Sequence, residues 1–164
     1  MPHAPHLTSA ETLATLQITP QLHAKLLGNV VSAGIVQYLH VLVVFGEGPE
    51  PALITTAEWN PLLPETRQAP FFGVFTAEGH CSETEAPRWQ DDALFVLHSV
   101  ACVQRHFALP ATDLCDAQAW ALSRMMERLQ TGTHAQHHTD YLQLLDQYRP
   151  LIATFLQAAH AAKP

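Results

Sequence analysis

Apolar residues recur at alternating spacings of four and three through the second half of the chain, and this spacing is typical of amphipathic helices. The pattern predicts a first helix from about Trp89 that Pro110 ends, and a second helix that Gly132 closes. A last helix is predicted over about 133–162, bent near Pro150 because proline cannot donate the backbone hydrogen bond that an unbroken helix requires there.

The middle of the chain has a different pattern, with β-branched and aromatic residues in short runs separated by glycine and proline. Residues 35–45 are apolar on both faces, which favours an inner strand, and 52–59 and 71–76 are predicted as two further strands. The segment 46–50, with the sequence GEGPE, has turn chemistry. The sequence therefore predicts a small antiparallel sheet of about three strands.

The N-terminal segment has helix-start signals. Thr8 and Glu11 match a capping box and predict a short helix that ends near Gln17. Thr19 and Pro20 then predict the start of a second helix. We predict residues 1–7 to be disordered and 1–164 to form a single α+β domain, in which N-terminal helices and a C-terminal three-helix segment flank the sheet.

The charge content narrows the function classes. Only 14% of residues are charged and the formal net charge is −7, so a general nucleic-acid or anionic-membrane role, which requires a basic patch, is excluded. The uncharged stretch 26–46 contains too many polar residues for a membrane span. A surface this poor in charge favours a protein partner, or a homodimer formed through the C-terminal helix.

The cysteines indicate the compartment. The three cysteines, Cys81, Cys102 and Cys115, are widely spaced and form no CxxC pair. No apolar signal segment is found near the N-terminus, and no disulfide pattern is present, so we expect a cytoplasmic protein.

Histidines provide the main candidate chemistry, because the chain has eleven of them. His98, Cys102 and His106 recur every four residues in one predicted helix, and His134 and His138 do so in another. Imidazole and thiolate are ligands for zinc and similar divalent transition metals, so these five residues are a candidate metal site. The structural alternative is Cys102 as a small buried hydrophobe, and His134 and His138 as the continuation of an apolar stripe. A second functional alternative for His134 and His138 is a protonation switch.

A second candidate surface combines strand aromatics with the loop that follows the third strand. Trp59, Phe71 and Phe72 could line a ligand or partner face, although such residues more often form the core between a sheet and helices. His80 and Cys81 are adjacent in the loop, where a thiol near a base could act as a nucleophile.

No phosphate-binding glycine loop, nucleophile elbow or HExxH motif is present. The leading hypothesis is therefore a non-catalytic binding or regulatory module without a cofactor, acting through a protein partner or a small apolar ligand. An acidic inhibitor or immunity-type protein is one concrete form. The alternatives are a histidine-rich metal-binding protein or metal-dependent hydrolase, and a cysteine-dependent enzyme.

Overall fold

The computed structural model describes residues 9–32, 35–46, 48, 51–58, 71–76, 79–82, 91–109, 113–132 and 137–161. Within these residues, six strands come first and four helices follow. The strands are β1 (Ser9–Gln17), β2 (His23–Ser32), β3 (Ile35–Phe45), β4 (Pro51–Glu58), β5 (Phe71–Thr76) and β6 (Gly79–Ser82). The helices are α1 (Asp92–His106), α2 (Asp116–Thr131), α3 (His138–Gln147) and α4 (Arg149–Ala161).

The strands form one antiparallel sheet in the order β1-β2-β3-β4-β5-β6, so each strand pairs with its neighbour in sequence. The α+β class and the antiparallel sheet are confirmed, and the three predicted strands are β3, β4 and β5. The sheet is larger than predicted because β1, β2 and β6 join it.

The prediction of N-terminal helices is wrong, since 9–17 and 23–32 are strands. Buried Ala24 and Leu26 alternate with exposed Lys25, which is the period of a strand. Pairing with β3 along the length of β2 outweighs the local helix signals. Thr19 still caps, but it caps a turn: its Oγ1 accepts hydrogen bonds from the backbone amides of Gln21 at 3.2 Å and Leu22 at 3.0 Å. The predicted disorder of 1–7 lies outside the described residues.

The helical half matches the sequence pattern closely. α2 ends at Gly132, whose φ of 76° lies in the left-handed region that favours glycine. The predicted last helix is divided into α3 and α4 at Tyr148, two residues before Pro150. Within the described chain, no helix has the length and apolar content needed to cross a membrane.

The main core lies between one face of the sheet and the helices. Leu26 pairs with Leu42, and Leu42 pairs with Thr55, so these three residues share the sheet face that packs against the helices. On the opposite face, a smaller cluster of buried residues consists of Leu27, Val41, Val43 and Ile54. The helix-facing side is the one that positions the candidate site.

Candidate functional site

A cluster of polar side chains is built around the N-terminus of α1. Asp91 caps this helix: the backbone amide of Leu94 donates to its Oδ1 at 2.8 Å. Asp92 occupies the first turn, where the positive end of the helix dipole favours a carboxylate. Asp91 is buried, with only 6% of its surface exposed, so its charge requires compensation from other elements.

α2 supplies that compensation. Arg128 donates from Nη1 to Asp91 Oδ2 at 3.1 Å and from Nη2 to Asp92 Oδ1 at 2.6 Å. Arg124, one helical turn earlier, lies 3.0 Å from Asp92 Oδ2 through its Nη2. Because residues four apart share one helix face, the 124/128 spacing delivers both guanidinium groups to adjacent carboxylates.

α3 adds a tyrosine to the same site. The Tyr141 hydroxyl donates to Asp91 Oδ2 and accepts from Arg128 Nη1 at 3.0 Å. Its ring is completely buried and belongs to the main core. We call Asp91, Asp92, Arg124, Arg128 and Tyr141 the ion–tyrosine cluster.

The charges of the cluster balance, with two carboxylates facing two guanidinium groups. Burial works to raise the pKa of Asp92, but the hydrogen bond and charge of Arg128, with help from Arg124, outweigh it and lower that pKa. Burial, followed by the hydrogen bond to Asp91, raises the pKa of Tyr141 to about 12. Tyr141 is therefore a neutral hydrogen-bond donor at physiological pH.

Two histidines border the cluster. His137 lies with Nε2 3.9 Å from Asp91 Oδ2, and its ring is stacked on Tyr141 at a centroid distance of 6.0 Å. Its buried Nδ1 has no hydrogen-bond partner within the described part of the protein. On β3, the buried ring of His40 stacks on Phe95 of α1 at 5.4 Å.

The predicted metal ligands are placed in different environments. Cys102 is buried in the main core and accepts a hydrogen bond from Arg105 Nη2 at 3.3 Å, whereas His98 is half-buried and His106 is exposed. His138 is exposed at the start of α3, and His134 lies outside the described residues. Among the residues that the structure describes, no group of three or more His, Cys, Asp or Glu side chains could hold a metal ion. Zinc binding stays a prediction.

The second predicted surface is described only at the level of the backbone. Trp59 lies outside the described residues, Phe71 and Phe72 belong to β5, and His80 and Cys81 belong to β6. β5 and β6 are paired neighbours at one edge of the sheet, where Cys81 pairs with Val74 and His80 with Phe75. His80 and Cys81 therefore lie in a strand and not in the predicted loop. Their role as a ligand or partner face stays a prediction.

Sequence reasoning did not identify the ion–tyrosine cluster, although its signals are present. Two acids stand directly before an apolar helical stripe, and two arginines are separated by one helical turn. The missing step is spatial, because Asp91, Arg128 and Tyr141 are brought together only by the packing of three helices.

We compared the chain with protein-family models, curated proteins and solved structures, and found no match in any of the three comparisons.

Proposed function

We propose that this protein is a non-catalytic binding module that engages a basic protein partner through the outward face of α2. The observation that carries the proposal is an asymmetry of charge on that helix. Its arginines turn inward to Asp91 and Asp92, whereas the acids Asp116 and Glu127 are exposed. The outward face is therefore acidic.

The spacing of the exposed residues defines this face. At 100° per residue, Asp116, Ser123 and Glu127 point within about 40° of one another, and all three are exposed. Trp120 borders the stripe on one side and supports the guanidinium of Arg124, which lies 4.9 Å from the ring centroid. Met126, with 38% of its surface exposed, borders the other side. Tryptophan and methionine are enriched in protein interfaces.

The ion–tyrosine cluster supports a non-catalytic role. Its carboxylates, guanidinium groups and phenol bind one another, and its buried members join α1, α2 and α3. Such mutual pairing is typical of a structural network, since catalytic acids and bases must keep an atom available for the substrate. A protein partner fits better than a small apolar ligand, because the candidate surface is an exposed and charged helix face.

Two further parts of the proposal concern location and assembly. We propose a cytoplasmic location, supported by Cys102 and Cys115, which are both free thiols and would stay reduced there. We also propose a homodimer through the C-terminal helix α4. Its Leu151 is only half-buried within the monomer, which leaves apolar surface for a second copy to cover.

The test compares two double variants with the same change in net charge. Asp116→Asn with Glu127→Gln neutralises the α2 face, and Glu11→Gln with Asp146→Asn neutralises two exposed acids elsewhere. The partner is captured from cell extract by crosslinking and is then purified. The Kd of its complex with the wild type and with each double variant is measured at two salt concentrations. We expect the α2 variant to raise Kd by about tenfold or more, with wild-type binding weakened by salt. Equal Kd values for the two variants, or an acidic partner, would refute the proposal.

A further inference from the structure

α3 is attached to the protein in a different way from the two helices before it. α1 buries nine of its residues and α2 buries five, but α3 buries only Tyr141. Its next residue, Leu142, is 48% exposed. Leu144 and Leu145 of α3, Tyr148 between the two helices and Ile152 of α4 pack against the main core but are only partly buried. Tyr141 is therefore the only completely buried side chain of α3.

The ionic part of the ion–tyrosine cluster is complete without α3. If Tyr141 leaves, Asp91 keeps the amide of Leu94 and Nη1 of Arg128. Asp92 keeps both Arg124 and Arg128. Removal of one partner from a buried ion pair is strongly destabilising because a charge is left uncompensated. Among the four ions of the cluster, undocking of α3 leaves no such charge, since all four belong to α1, its cap and α2.

The hydrogen bonds of the Tyr141 hydroxyl are ones that water can replace. Its hydroxyl exchanges hydrogen bonds with Asp91 and Arg128. On undocking, the phenol, the carboxylate and the guanidinium group all become accessible to water. The apolar part of the free-energy cost is the exposure of one aromatic ring and several half-buried side chains, and it is smaller than the cost of unfolding the core.

We propose that α3 and α4 form a releasable arm, latched to α1 and α2 by the insertion of Tyr141 beside Asp91 and Arg128. When the arm is docked, Tyr141 occupies a site that would bind an aliphatic side chain less well than a phenol. The base of this site presents a carboxylate that accepts from the phenol and a guanidinium group that donates to it. The site is thus selective for a tyrosine on an amphipathic helix, and the arm is its intramolecular ligand. This inference concerns the inner side of α2 and is independent of the partner face proposed above.

Native-state hydrogen exchange of the full chain tests the latch. In the wild type, we expect the amides of 141–160 to exchange through an opening that leaves 94–106 and 118–131 protected. Tyr141→Ala should raise exchange in the arm by about tenfold or more, and Tyr141→Phe, which removes only the hydroxyl, by about fivefold. Both variants should leave exchange in α1 and α2 unchanged.

Leu142→Ala is the matched control, because Leu142 lies in the same helix and is exposed. We expect exchange in the arm of this variant to equal that of the wild type. The proposal is overturned if α1, α2 and the arm exchange together in the wild type. It is also overturned if Tyr141→Ala unfolds the whole protein, or if Tyr141→Phe changes α1 as much as the arm.

Discussion

α1 and α3 both contribute side chains to the main core but are held by different forces. α1 lies against the sheet through a buried apolar surface that includes Phe95 and Val96, both at 0% exposure. α3 is held by Tyr141, whose ring is buried and whose hydroxyl enters a charged cluster. Burial of apolar area therefore makes α1 part of the cooperative core. The placement of α3 depends more on one side chain, Tyr141, which combines a buried ring with polar contacts to a charged cluster.

The largest expected effect is the loss of packing in α1. Phe95→Ala removes a completely buried ring that also stacks on His40. We expect the free energy of unfolding to fall by about 3–5 kcal/mol, because a cavity is left in the core. Denaturant titration measures this change. A cost below about 1.5 kcal/mol would show that α1 is not the apolar anchor described above.

The next effect tests the charged half of the comparison. Asp91→Asn keeps an oxygen that can cap α1 but removes the charge that Arg128 and Tyr141 contact. We expect a loss of about 2–3 kcal/mol in the free energy of unfolding. Asp146→Asn is the control, since the Asp146–Arg149 pair is exposed and should contribute less than about 1 kcal/mol. Equal losses would mean that burial of the Asp91 charge does not matter.

The pH dependence of the free energy of unfolding tests how much the buried Tyr141 hydroxyl contributes to stability. Its pKa is about 12 in the folded protein, above the ordinary value of 10.0. A raised folded pKa gives a stabilising contribution that is fully present below pH 10 and is lost as pH rises toward 12. Stability should therefore fall more steeply between pH 10 and 12 in the wild type than in Tyr141→Phe. Thermal unfolding of both proteins across this range measures the difference, and parallel curves would contradict it.

Asp92 gives the corresponding effect at acid pH. Its pKa is lowered from the ordinary value of 3.8, so its contribution is present above that pH and is lost as pH falls through the lower folded value. In Asp92→Asn, this part of the acid destabilisation should be missing. Acid titration followed by circular dichroism measures it, and an unchanged acid transition would show that Asp92 gains no net stabilisation from its arginines.

The smallest expected effect lies on the far side of the sheet. Thr56 of β4 is completely buried and pairs with Val41, and its hydroxyl has no hydrogen-bond partner within the described part of the protein. Thr56→Val removes an unpaired polar group with little change in shape and should stabilise the protein by about 1 kcal/mol. A destabilised variant would show that the hydroxyl is satisfied by a group such as bound water.

Prediction from sequence succeeded where local pattern and environment agree. The stripes of α1 and α2, the stop at Gly132 and the division near Pro150 follow from periodicity and backbone chemistry. Prediction failed for β1 and β2, where capping residues and apolar spacing fit a helix as well as a strand. Pairing of β1 with β2 and of β2 with β3 decides that ambiguity, and it depends on contacts between separate elements.

The candidate site shows the same difference between what local spacing predicts and what contacts between elements decide. The sequence predicts His98, Cys102 and His106 as metal ligands, because spacing within a helix can be counted from the sequence. The structure separates their environments, with Cys102 in the core and His106 exposed. The cluster that does form joins Asp91 to Arg128 and Tyr141, which are 37 and 50 residues away.

The sequence by itself determined the mixed α+β class, the central strands, the helical stripes and the acidic balance, because each depends on composition or on spacing within one element. Only the tertiary structure decided that the N-terminal segments are strands and that an ion–tyrosine cluster joins three helices. The physical reason is that strand pairing and charge compensation depend on distances between elements. Those distances are set by the packing of the whole chain.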